Sequence, residues 1–165
     1  MRKVVTGVGP DGRSTVFFDG TPPVGYRGGS GSSQPQLIGD GSHEATEPGT
    51  AVVHELWALG REPSVTTDDP TLSLREASWD VPAGETKWII TQMGPDLFTP
   101  LHSTPTIDYG LLVSGELEMG LEDGTTVHLT SGDAVVVNGV MHSWHSGPNG
   151  CVIATVLVGL RASER

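Results

Sequence analysis

A single cysteine in 165 residues leaves no partner for an internal disulfide. Cys151 lies in the apolar run CVIATVLVGL and reads as a small buried residue rather than a reactive thiol. Basic residues are also scarce. Nine Lys and Arg stand against 20 Asp and Glu, giving a formal charge of −11 and a pI near 4.7. A surface this acidic repels phosphate backbones and anionic lipid heads, which argues against nucleic acid and membrane partners. No apolar run is long enough to cross a bilayer, and the opening MRKVVTG has two positive charges but no apolar core of signal length. The expectation is a soluble, cytoplasmic protein. Convincing helical periodicity is missing as well. What the chain does have is 23 Gly and 12 Pro, with Val the commonest apolar residue and Thr abundant beside it, so it is rich in turns and leans all-β. Its length fits one ordinary domain.

The N-terminal runs RKVVT and RSTVFF flank Gly9-Pro10-Asp11-Gly12 and predict a hairpin. From Asp19 to Thr50 the composition turns to Gly, Pro, Ser and Gln around GGSGSSQPQ, which predicts a mobile loop. AVVHELWAL reads as a strand with Val53, Glu55, Trp57 and Leu59 on one face and Val52, His54 and Leu56 on the other. The polar stretch up to Trp79-Asp80, broken by prolines, reads as a connection with a short turn of helix. ETKWIITQM is the next strand, followed by LHST. DYGLLVSG is expected to turn into ELEMGL, whose alternation fits a half-buried antiparallel strand. Asp123-Gly124 predicts a tight hairpin with TTVHLT as its return, and Ser131-Gly132-Asp133 turns the chain into AVVV. The last strand is CVIATVLVGL. Short strands at regular spacing with hairpin turns specify a sandwich or barrel.

Two segments carry chemistry, HSTPTIDYG (His102–Gly110) and NGVMHSW (Asn138–Trp144). Residues two apart on a strand share a face, so His102 pairs with Thr104, His142 with Trp144, and Asp108 with Gly110 and Leu112. If that face is the interior, His102, Thr104, Asp108 and His142 meet in a cavity. Two imidazoles and a carboxylate suit a divalent metal such as Zn, Mn, Fe, Ni or Co. Without a metal the same trio is a proton-transfer site in which Asp108 orients a histidine. His43, His128 and His145 read as ordinary polar groups, and His54 as a sheet histidine that could also face a cavity. Tyr109, opposite Asp108, reads as packing, and Trp144 as either core or pocket lining.

The order Gly94, His102, Thr104, Asp108, Gly115, followed by Gly132, Asn138, Gly139, His142 and Ser146, resembles the two motifs of the cupin superfamily (RmlC-like). The chain looks most like single-domain bacterial cupins with an H-x-T-x-T-I-D-Y-G first motif and an upstream ELW strand. Thr104 replaces a histidine of that family's pattern, Asp108 a glutamate, Asn138 a proline and Ser146 an asparagine. The resemblance implies a double-stranded β-helix, or jelly-roll barrel, over 51–161 with its motif region at 84–160. An N-terminal hairpin and flexible loop (1–50) precede it. It implies ligand positions at His102 and His142 with Asp108 beside them, a third imidazole being sought among His54, His128 and His145, and Thr104 and Trp144 lining the pocket. The implied site is a metal centre or a metal-free acid/base site. The implied function is lyase, decarboxylase, dehydratase or isomerase chemistry on a small organic molecule, of aromatic or polyketide-like type. The alternatives are a non-catalytic ligand-binding or sensor module and a metal-dependent dioxygenase. The VVT and VFF runs are expected to add strands to a second subunit in a homodimer.

Overall fold

The computed structural model describes residues 1–23, 25–29, 35–38, 42–64, 69–73 and 78–161. As expected, the chain opens with a hairpin, β1 (Lys3–Val8) and β2 (Ser14–Gly20), closed through the Gly9–Arg13 turn. These two strands form a sheet of their own. A two-stranded ribbon alone is marginal in water, and this one is anchored by Lys3. The Lys3 ammonium is buried, bonded to Asp69 and Thr71, and lies over the rings of Phe18 and Trp57. Asp69 precedes, and Thr71 lies within, a 3-10 turn at Pro70–Ser73, the short helical turn expected in that connection.

The main sheet corrects the reading of residues 19–50. β3 (Gly25–Gly29) and β4 (Gln36–Ile38) both belong to it, β3 pairing with β5 (Thr50–Leu59). The cause is local: Tyr26 brings a large apolar ring into a glycine-rich run, and that ring is almost wholly buried. The glycines beside it suit close contact, for a Cβ at Gly25 would crowd the His54 ring. Within the expected loop, residues 24, 30–34 and 39–41 lie outside the described residues.

The other strands are β6 (Thr86–Met93), β7 (Phe98–His102), β8 (Thr106–Leu121), β9 (Thr126–Thr130), β10 (Ala134–Asn138) and β11 (His142–Gly159). Their order is β10-β8-β11-β6-β5-β3-β4, with β9 pairing on β8 and β7 on β11. β8 and β11 are the frame. Their first and last halves, respectively, pair with each other beside β10 and β6, while their other halves pair beside β9 and β7. Two sheets thus share two long strands, which is the jelly-roll arrangement. The turn expected at Ser114-Gly115 is instead a corner inside β8. Gly115 bends there at φ 82° without reversing the chain, and a Cβ would collide with the Gly150 carbonyl. β11 likewise absorbs the expected break before Cys151 as a register shift.

Inward residues of β8 and β11 meet Met93 and Leu97 to form the core, with Leu112, Leu117, Leu129, Cys151 and Ile153. Burial pushes the Cys151 thiol up to about 11, so it stays protonated and inert, as expected. Trp57 does not share a face with Val53. A bulge at Leu56 slips the register against β6 so that Trp57 opposes Trp88 on the outside. No described helix is long and apolar enough to cross a membrane.

Candidate functional site

Between the two layers lies a cavity of about 500 Å³, lined mainly by apolar side chains. His102, Thr104, Asp108, His142 and Trp144 all line it. The strand periodicity accounts for most of this. In β8, Thr106, Asp108, Gly110 and Leu112 turn inward, whereas Tyr109, Leu111 and Val113 are exposed outside.

His102 and His142 are directly opposite one another on β7 and β11. Their ring centroids are 4.4 Å apart at an interplanar angle of 52°. The Trp144 ring meets His142 edge-on at 5.4 Å. Each histidine is oriented by its own strand. His102 Nδ1 lies 2.8 Å from the Pro100 carbonyl oxygen and His142 Nδ1 lies 2.9 Å from that of Val140. A carbonyl can only accept, so in both rings Nδ1 carries the proton and donates it. The neutral rings therefore keep their lone pair on Nε2.

The two imidazoles differ in exposure. His102 is exposed, so the cavity opens to solvent there, while His142 is 3% exposed. Burial lowers the His142 pKa, and the neighbouring His102 adds to the effect. The Val140 carbonyl and the Asp108 charge oppose it. Burial also raises the pKa of Asp108, against the pull of a Thr106 hydrogen bond and of both histidines. One Asp108 oxygen, Oδ1, is buried with no hydrogen-bond partner. Thr104 and Thr106 bond to each other through their hydroxyls at 2.8 Å.

Asp108 thus stands close enough to feel both imidazoles, yet it is not gathered with them into one ligand group. Among the described residues no three His, Cys, Asp or Glu side chains are placed to hold a metal ion. The remaining histidines do not complete such a set. His128 is exposed beside Glu118, and His145 is exposed against the Phe98 ring, as their strand positions predict. His54 is fully buried beneath β3, on the face away from the cavity-lining Val53.

Several lining residues escape a simple period of two. Thr99 and His102 both face inward because three residues of β7 span two of β11, a bulge between Trp144 and His142. The Trp144 amide donates to the Thr99 hydroxyl at 3.1 Å, fixing that bulge. Trp79 enters from a polar connection that carries no strand pattern. Thr91, Met93, Ile153 and Thr155 were legible as inward positions of β6 and β11 once a cavity is granted. Ser146 is structural: its hydroxyl donates to the Gly94 carbonyl and accepts from the Leu97 amide, closing that turn onto β11.

No family model matches the chain. A stretch is similar to the cupin-domain-containing oxidoreductase virC of Hypocrea virens, 31% identical over 52 residues, or 32% of this chain and 27% of that protein. The cupin-domain-containing oxidoreductase srdD of Neurospora crassa is 39% identical over 51 residues, 31% of this chain and 26% of that protein. The matched stretches thus span about a quarter of the length of these curated relatives. An RmlC-like cupin from Shewanella frigidimarina aligns at 14% identity and a TM-score of 0.46, covering 68% of this chain and 78% of that one. The antiparallel jelly roll is the architecture that the two sequence motifs predict, and the matched stretches are similar to parts of two cupin-domain proteins.

Proposed function

We propose that the barrel is a small-molecule enzyme working by proton transfer, of the lyase, decarboxylase, dehydratase or isomerase type. The observation that carries this reading is the imidazole pair whose Nδ1–H groups are tied to backbone carbonyls, leaving two Nε2 lone pairs in one cavity beside a buried carboxyl. Burial keeps His142 neutral and so able to accept a proton from a bound substrate. His102, open to water, returns a proton or exchanges it with solvent. Asp108, with one oxygen unpartnered, is placed to bond a substrate hydroxyl or, when protonated, a carbonyl oxygen. A divalent metal, if taken up, would be held by the two Nε2 atoms and would supply Lewis acidity. The largely apolar lining favours a ligand with an aromatic or alicyclic body.

Deuterium exchange tests this. In D2O, proton NMR would follow loss of the hydrogens next to the carbonyl of cyclohexanone and 1-tetralone. The protein is expected to speed exchange of at least one, and His142→Gln or His102→Gln to slow it about 100-fold or more. Exchange equal in wild type and both variants, with either ketone bound, leaves the non-catalytic binding role instead. The two fungal relatives are named as oxidoreductases. Metal analysis and oxygen uptake in the same samples address that alternative: stoichiometric metal lost on either histidine change, with oxygen consumed, would replace proton transfer by oxidation.

Val136, Tyr109, Val156 and Trp88 are in register across four strands and exposed, giving an apolar row on the outer face. This row supports a homodimer in which a second copy covers it. Sedimentation is expected to report a dimer for the wild type and a monomer for Val136→Lys; a monomeric wild type would end the idea. The lone buried thiol is in keeping with a reducing cytoplasm.

A further inference from the structure

We infer that Trp79 is the wall that limits the size of the ligand's apolar part, and that Lys87, Glu55 and Tyr26 hold it in place. This rests on the cavity taking a small molecule, but not on any reaction there.

Trp79 is 38% exposed and also lines the cavity, so it separates the interior from solvent. It does so on the side of β3, where Gly28 leaves room for it: a Cβ there would meet the indole at 3.4 Å. Residues 78–80 belong to no strand, so no ladder fixes them. They are tied down by Lys87, whose ammonium donates to the carbonyls of Ser78 and Asp80 on either side of Trp79, at 3.0 and 3.4 Å. The third interaction of that ammonium is with the Glu55 carboxylate, 3.4 Å away and fully buried. Glu55 in turn accepts the hydroxyl proton of Tyr26. The Tyr26 ring closes the circuit by meeting the Trp79 indole edge-on, at 6.1 Å and 87°.

A buried carboxylate paired with a partly buried ammonium is costly to desolvate, and an apolar pair of the same volume would often serve stability as well. Here the pair has a second consequence. It sets both the backbone on each side of Trp79 and the ring against which the indole rests. Neither Lys87 nor Glu55 lines the cavity, so both act through Trp79 and are positioning residues.

Binding of the straight-chain alcohols 1-butanol to 1-decanol, followed by calorimetry, tests the wall. Each methylene that finds room should tighten binding about fourfold. In the wild type this gain is expected to stop at a chain length where the alkyl group reaches Trp79. Trp79→Ala is expected to move the break outward by two or more carbons, binding the longer alcohols at least about tenfold more tightly than wild type. Lys87→Met is expected to move the break the same way, which a general loss of stability would not do. Should Lys87→Met fail to fold, Tyr26→Phe, which keeps the ring but frees Glu55, carries the same expectation. A break that stays in place in Trp79→Ala overturns the wall. A break moved by Trp79→Ala but by neither network variant overturns the positioning role. No binding of any alcohol overturns the small-molecule premise itself, and deuterium exchange reports on the histidines separately.

Discussion

Asp108 and His142 share a cavity in which burial drives both toward their neutral forms, the carboxyl by a raised pKa and the imidazole by a lowered one. A substrate proton can then move without first being forced off a charged group. The arrangement costs stability at neutral pH, because an ionised Asp108 keeps a buried oxygen without a partner. Asp108→Asn is therefore expected to stabilise the protein by on the order of 1 kcal/mol at pH 7. The sign follows from the raised folded pKa: the penalty is present above it and vanishes as pH falls toward the ordinary carboxylate value of 3.8. Thermal melts at pH 7 and pH 4 check this, and a difference that is negative at pH 7, or independent of pH, would refute it. The inward facing of Asp108 was legible because the alternation of β8 shows in the residues around it, and that of His102 and His142 because both stand at histidine positions of the two motifs. Thr99 was not, since a bulge shifts its parity, and neither was Trp79, since nothing in a polar connection announces which side chain will lie over the barrel.

At the scale of elements, the corner in β8 does what a turn was expected to do, but keeps both halves in one strand. Gly115 makes this possible by holding a positive φ while β11 passes too close for any side chain. Gly124, at the tip of the β8–β9 hairpin, has a similar φ of 84° with nothing within 4 Å of where a Cβ would be. Comparing Ala substitutions at the two separates backbone strain from collision. Gly124→Ala is expected to cost about 1 kcal/mol. Gly115→Ala should cost roughly 3 kcal/mol or more, because strain and steric clash add. Urea melts of both variants measure it, and equal losses would mean that the corner gives way easily. Sequence alone marks both glycines as turn residues. It cannot distinguish a hairpin tip from a corner, because the difference lies in the strand that crosses behind.

For the molecule as a whole, pH acts through groups far apart in the sequence. His54 and His142 both have pKa values lowered by burial, the positive N-terminus contributing at His54 and His102 at His142. The unfolded chain takes up their protons first, so their neutral burial is tolerated fully above about pH 6.5 and stability is lost as pH falls below it. Asp69 behaves differently. Burial pushes it up, but Lys3 and Thr71 outweigh that and leave its pKa lowered, so its contribution persists until pH drops below 3.8. The formal charge of −11 opposes the histidine effect only weakly in this range, since most carboxylates remain ionised down to about pH 5, and at about 0.15 M salt their mutual repulsion is screened beyond about 8 Å. Stability measured by urea unfolding at that salt is therefore expected to fall between pH 7 and pH 5, and His142→Gln to flatten the slope. A curve that is level or rising over the same interval would mean that these two imidazoles are hydrated, and with that the desolvated surroundings of His142 on which the proton-transfer reading depends would be lost.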